Sequence, residues 1–158
     1  MRYRKVAVGG TFDIVHKGHI ALLDKAFEVG EHVIIGVTSD TLVARMGKRR
    51  VVNDYSMRIR NLSSMLSSKY PSRRFDIIML DDEFGPTVTD PSIEAIVVSR
   101  ETEHKCKRLN EIREANGMEP LHIIAIDLLL ADDGERISSS RIRAGEKARD
   151  MVDRFMLD

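Results

Sequence analysis

The stretch Tyr3-Arg4-Lys5-Val6-Ala7-Val8-Gly9-Gly10-Thr11-Phe12-Asp13-Ile14-Val15-His16-Lys17-Gly18-His19 decides the fold. Tyr3 to Val8 is short, β-compatible and stopped by Gly9-Gly10, the pattern of a buried strand. Ile20, Leu23 and Phe27 then recur at helical spacing with Leu22, Ala26 and Val29 beside them, and Gly30 supplies a helix stop. Between strand and helix the chain turns at a helix N-terminus, where backbone N–H groups and the helix dipole favour an anion. Gly9 and Gly10 let the backbone approach a ligand with no Cβ in the way, and Gly18 does the same at the helix start. His16 and His19 lie three residues apart, so on one helical turn they share a face. Imidazole N–H groups aimed at a phosphate stabilise charge that develops in a transition state. A His-x-x-His pair also suits a metal, but no third ligand stands nearby in the sequence, so no metal ligands are expected.

Working outward, Glu31 to Thr38 contains Val33-Ile34-Ile35-Gly36-Val37, a second buried strand. Ser39 to Asn53 carries Lys48-Arg49-Arg50 and little apolar periodicity, and part of it reads as a mobile loop. Asn53 or Asp54 caps a helix that uses Tyr55, Ile59, Leu62 and Leu66 and closes at Pro71. Phe75 to Leu80 is a third strand, followed by acidic Asp81-Asp82-Glu83 and a turn-rich run from Gly85-Pro86-Thr87 to Asp90-Pro91. Ala95 to Val98 is a fourth strand, about Glu101 to Asn116 a charged helix ended by Gly117, and Leu121 to Ile126 a fifth strand. Ser138 onward reads as a helix to the C-terminus, with a possible break near Gly145. Strands alternating with helices predict an α/β fold: a single Rossmann-like domain over residues 1–158, with a five-stranded parallel sheet and helices on both faces. Ligands bind such sheets at the C-terminal strand ends, near the point where strand order reverses.

Composition narrows the function classes. Of 158 residues, 25 are Lys or Arg and 25 Asp or Glu, so the formal net charge is zero, against a protein that coats nucleic acid or an anionic membrane. No Trp and three Tyr leave no aromatic platform for nucleic acid. One cysteine, Cys106, excludes an internal disulfide and a multi-Cys zinc site. No apolar run approaches the ~20 residues of a membrane span, and three apolar residues after the basic start are too few for a signal peptide. The expectation is a cytoplasmic protein with no nucleic-acid or membrane partner; oligomeric state is not legible.

A second anion site is written in Ile137-Ser138-Ser139-Ser140-Arg141-Ile142-Arg143. Ser138 reads as an N-cap that leaves the amides of Ser139 and Ser140 for phosphate oxygens, and Arg143 adds a bidentate guanidinium. A plain N-cap with a solvated basic turn is the structural alternative.

Taken together, Thr11-Phe12-Asp13…His16-x-Gly18-His19 and Ile137-Ser138-Ser139-Ser140-x-x-Arg143 resemble the HxGH nucleotidyltransferase superfamily, over nearly the whole chain. The middle, Asp82-Glu83-Phe84-Gly85-Pro86-Thr87…Asp90-Pro91…Ser99-Arg100-Glu101-Thr102, is similar to phosphopantetheine adenylyltransferases of the archaeal and eukaryotic type. Glycerol 3-phosphate cytidylyltransferases and FAD synthetases share the end motifs but lack this middle. A nucleotide-sensing module on the same fold is the non-enzyme alternative.

The resemblance implies that the phosphate of 4′-phosphopantetheine attacks the α-phosphorus of ATP in line, giving dephospho-coenzyme A and pyrophosphate. A phosphate monoester is already nucleophilic near neutral pH, so catalysis is positioning and charge stabilisation. On this reading His19, Thr11 and Lys48 are catalytic. His19 meets the α-phosphate, Thr11 holds a phosphate near the reaction centre, and Lys48 bridges nucleophile and α-phosphate, with Arg49 the alternative. Gly10, Phe12, His16 and Gly18 belong to the ATP site, Ser138, Ser139, Ser140 and Arg143 to its phosphate end, and Ser99 to its adenine and ribose end, with Arg100 near the phosphates. Mg²⁺ travels with the nucleotide and has few or no protein ligands. Other residues read as structural: His32 and His122 in or beside strands, His104-Lys105-Cys106 on a helix surface, Asp81 to Glu83 at a strand end, and Asp132-Asp133-Gly134 as a turn.

Overall fold

The computed structural model describes residues 2–47 and 51–127. Five strands, β1 (Tyr3–Gly10), β2 (Gly30–Thr38), β3 (Arg74–Leu80), β4 (Ala95–Ser99) and β5 (His122–Ile126), form one all-parallel sheet in the order β3-β2-β1-β4-β5. Four helices accompany it: α1 (Lys17–Val29), α2 (Asp40–Arg45), α3 (Tyr55–Lys69) and α4 (Lys105–Ala115). This is the expected Rossmann-like α/β sheet.

Alternation along each strand sorts the side chains to two faces. Val6, Val8, Val33, Ile35, Val37, Ala95 and Val97 face one way, against Leu22, Leu23, Ala26 and Phe27 of α1 and Leu62 and Leu66 of α3. Ala7, Ile96 and Val98 face the other way, against Cys106 and Leu109 of α4. Each fully buried Leu or Phe in these layers contributes roughly 1.5–3 kcal/mol of transfer free energy. Strand order reverses beside β1, and there the ladder is cut short. Pairing with β2 runs to Gly10↔Val37, whereas pairing with β4 ends at Ala7↔Ile96. Beyond Ala7 the two strands are no longer paired, which opens the crevice where doubly wound sheets bind ligands.

Four details differ from the sequence reading. Strand β1 continues through Gly9 and Gly10, paired with Gly36 and Val37, because parallel pairing needs no side chain there. Part of Ser39–Asn53 is the helix α2, capped by the Ser39 hydroxyl, which accepts from Leu42 N at 3.0 Å. Six residues are too few to show an apolar period, although Leu42 and Val43 are buried. The charged helix begins later than expected. Arg100–Thr102 forms a 3-10 turn first, held by Thr102 bonding back to Ser99 (Oγ to Oγ1, 3.0 Å), a local side-chain bond that competes with the α-helical path. Cys106 is buried rather than on the surface, and burial, with the Glu103 charge adding to it, pushes its thiol up to about 11. No helix among the described residues is long and apolar enough to cross a membrane.

Gly30 has an extended φ of −117°, so it is not a left-handed helix stop. A Cβ there would lie 2.7 Å from Val6 Cγ2 and 3.2 Å from Ala26 O. Val6 is fully buried and has no room to yield. We expect Gly30→Ala to destabilise the protein by about 1–3 kcal/mol through overpacking, read as a lower urea midpoint at unchanged m-value; an unchanged midpoint would show that β1 and α1 separate more easily than this packing implies.

Candidate active site

The loop from β1 to α1 is built around one unusual residue. Phe12 has φ +52°, a left-handed conformation that costs a non-glycine residue roughly 1–2 kcal/mol. The strain is held because its ring is buried, 4.9 Å from the His19 ring. The turn brings His16 to the N-cap of α1 and His19 to its third position. His16 Nδ1 accepts from Gly18 N at 3.0 Å, and His19 Nδ1 accepts from His16 N at 3.2 Å. The two imidazoles thus form a reciprocal capping box, with ring centroids 3.9 Å apart. Because both Nδ1 atoms accept from backbone, the neutral rings carry their proton on Nε2. Each ring is thereby set as an N–H donor at the start of a helix whose first turn holds no acidic residue.

Thr11 is buried at the end of β1, and its hydroxyl oxygen accepts from Thr38 Oγ1 at 3.1 Å, leaving its own proton unused by that bond. Beneath both threonines lies Arg58, fully buried. Its Nη1 donates to Thr11 O at 2.9 Å and Thr38 O at 2.8 Å, Nε to Asn53 O at 3.0 Å, and Nη2 to Asp40 Oδ1 at 2.9 Å. Asp13, also buried, accepts from Val52 N at 2.8 Å and Asn53 N at 2.9 Å. Arg58 and Asp13 therefore tie the loop between β1 and α1 to β2, α2 and the entry of α3. Sequence reading missed both roles.

Among the expected site residues, Gly10, Thr11, Phe12, His16, Gly18 and His19 gather at the C-terminal end of β1 and the head of α1. Ser99 ends β4 on the other side of the crevice, buried and bonded to Thr102. Arg100 is exposed, with Nε on Asp127 at 2.9 Å and Nη1 3.8 Å from Glu103. Lys48 and Arg49, with Ser138, Ser139, Ser140 and Arg143, lie outside the described residues. Among the described residues no group of three or more His, Cys, Asp or Glu could hold a metal.

A slot enters the opposite face of the sheet beside Gly9. Gly9, Gly36, Leu80, Phe84, Pro86 and Thr87 line it, and its free space is about 30 Å³. Its lining is mostly apolar, with one carboxylate, Glu83. The missing side chains of Gly9 and Gly36 make the room: a Cβ on Gly36 would lie 2.8 Å from Leu80 Cδ1. The strand ends thus carry backbone-oriented imidazole donors at the head of α1 and, on the other face of the sheet, a small apolar slot.

This fold and site define a nucleotidyltransferase, and the chain belongs to the cytidylyltransferase-like family, whose model matches residues 7–145. Within it the chain belongs to the phosphopantetheine adenylyltransferases. The enzyme of that name from Methanothermobacter thermautotrophicus is 52% identical over 145 residues, covering 92% of this chain and 86% of that protein. That of Methanopyrus kandleri is 45% identical over 142 residues, covering 90% of each. A crystal structure of a protein with unknown function from Archaeoglobus fulgidus superposes with a TM-score of 0.69 at 34% identity, over 78% of this chain and 89% of that one.

Arg58→Met would strand the carbonyls of Thr11, Thr38 and Asn53 and release Asp40. A buried carbonyl left without a donor costs about 1–3 kcal/mol, so the urea midpoint should fall steeply. A loss below about 1 kcal/mol would mean that water replaces the guanidinium and that the loop does not depend on it.

Proposed function

We propose that this protein transfers the adenylyl group of ATP to 4′-phosphopantetheine, giving dephospho-coenzyme A and pyrophosphate in the cytoplasm. The observation that carries this is the 52% identity to a phosphopantetheine adenylyltransferase across 92% of the chain. The strand ends support it. A donor-rich end suits a triphosphate, and the slot beside Gly9 lies at the strand ends, where it can take an apolar part of the acceptor.

The chemistry asks little of a general base. The acceptor's phosphate oxygen attacks the α-phosphorus of ATP as the bond to the β-phosphate bridging oxygen breaks, and pyrophosphate leaves. Charge collects on the non-bridging α-oxygens, and preorganised N–H donors lower that barrier. His19 Nε2–H is the donor we assign to the α-phosphate, with His16 beside it on the triphosphate and Thr11 on the acceptor phosphate. The capping bonds keep both Nδ1 atoms occupied, so the rings enter the reaction as oriented donors and need no proton transfer. Lys48, with Arg49 as its alternative, completes the charge on the acceptor side, and Ser138, Ser139, Ser140 and Arg143 hold the leaving pyrophosphate. Magnesium enters with ATP as part of the substrate, ligated by phosphate oxygens and water. Gly10, Phe12 and Gly18 shape the loop, Ser99 borders the nucleoside, and Arg100 stands near the phosphates.

Pyrophosphate release with Mg·ATP tests the reading directly. It should depend on 4′-phosphopantetheine and stay at background with FMN, glycerol 3-phosphate or no acceptor, and with CTP in place of ATP. Release with a different pair would move the protein elsewhere among nucleotidyltransferases, and ATP binding without release would make it a nucleotide sensor. His19→Ala should lower kcat by about two to three orders of magnitude with a much smaller change in ATP affinity. Equal losses in both would remove His19 from the transition state.

A further inference from the structure

The segment between β3 and β4, residues 81–94, is irregular apart from the 3-10 turn at Gly85–Val88, yet two of its side chains are packed inward. Thr87 and Ile93 are buried, with relative exposures of 6% and 1%. A buried irregular segment leaves carbonyls that no helix or ladder satisfies, and each must find a donor. One side chain reaches three of them. Arg113 of α4, 1% exposed, donates from Nη1 to Thr87 O at 2.6 Å and to Asp90 O at 3.3 Å, and from Nη2 to Ile93 O at 3.3 Å. Its Nε donates to Glu119 O at 2.7 Å, joining the approach to β5. Among the described residues no carboxylate is bonded to it. Burial lowers its affinity for the proton, and the nearby Asp90 charge opposes that shift.

The same segment is one wall of the slot beside Gly9, through Phe84, Pro86 and Thr87. Leu109, one helical turn before Arg113 on the buried face of α4, lines the slot as well. Thus α4 presents an apolar side chain to the slot and a guanidinium to the backbone of its wall. Gly85, at φ +54°, lets the wall double back over Leu80, where a Cβ would lie 2.4 Å from Leu80 Cδ2.

We infer that Arg113 is a positioning residue for the acceptor, 4′-phosphopantetheine, holding in place the Phe84–Ile93 segment that walls the slot beside Gly9. This rests on the acceptor reading above. Arg113 touches no reacting atom; it acts through the backbone carbonyls of Thr87, Asp90 and Ile93. It serves the acceptor side alone, because the nucleotide loop is held separately by Arg58 and Asp13.

The test is steady-state kinetics of Arg113→Lys with both substrates varied. A lysine offers one ammonium where the guanidinium spans four carbonyls, so two or more bonds are lost. The KM for 4′-phosphopantetheine should rise about tenfold while the KM for ATP stays within about twofold. A lower thermal midpoint with both KM values unchanged would assign Arg113 to stability alone and overturn the inference; so would equal increases in both. If Arg113→Lys does not fold, Pro86→Gly frees the same turn with Arg113 in place. It should raise the acceptor KM in the same selective way, and an unchanged acceptor KM there would equally overturn the inference. Wild-type protein that ignores 4′-phosphopantetheine would defeat the functional reading instead, before any variant is compared.

Discussion

The guanidinium of Arg58 is the constraint on which the loop from β1 to α1 depends. Where β1 and β2 end side by side, the carbonyls of Thr11 and Thr38 leave the ladder together, and Arg58 Nη1 sits 2.9 and 2.8 Å from them. A buried carbonyl without a partner costs about 1–3 kcal/mol, which is large against the total stability of a domain. The loop therefore takes the path that keeps both bonds. Because Arg58 also holds Asn53 and Asp40, that path is coupled to α2 and to the start of α3. Phe12 is carried along at positive φ, and its strain is smaller than what the loop would lose by relaxing.

In the histidine pair, local folding uses one ring nitrogen and leaves the other to the donor role proposed for it. A serine at the N-cap with a glutamate three residues on would satisfy the same backbone groups. Imidazole does so with one nitrogen and keeps a second as a donor. The cap bond of His16 and the reciprocal bond to His19 choose the tautomer before any substrate arrives. Preorganisation of this kind matters because a donor already in place does not have to reorganise as charge develops.

How much of this could be read from residues alone depends on whether a signal is periodic. The β1 turn and α1 were legible, since an apolar strand, glycines and a helical stripe follow one another without a gap. The helix α2 was not, being too short for a stripe. Gly30 was correctly seen as a boundary for the wrong reason: space against Val6 demands it, and no local pattern reports a contact 24 residues away in sequence. Arg58 and Arg113 did leave a trace. Arg58, Leu62 and Leu66 lie four apart on one buried face of α3, while the nearby Arg60 is exposed. Cys106, Leu109 and Arg113 lie on the buried stripe of α4. The expectation that Cys106 lay on the surface followed from the charge of the whole helix; its phase points inward.

An arginine in phase with an apolar stripe is costly to bury, so its partners decide what it is for. An ion pair in place of well-packed apolar residues gains little on balance. Arg58 spends one contact on Asp40, which is itself largely exposed, and the rest on carbonyls. Arg113 bonds to carbonyls only. Neither is therefore explained as a salt bridge. What they have in common is the backbone they hold: one grips the loop between β1 and α1, the other the wall of the apolar slot. Both segments leave the C-terminal ends of strands, where an α/β sheet has no further ladder to satisfy them. A regular connection would fold more cheaply, but it would close the crevice, and the guanidinium is the side chain whose rigid fork can satisfy several diverging carbonyls from one buried position.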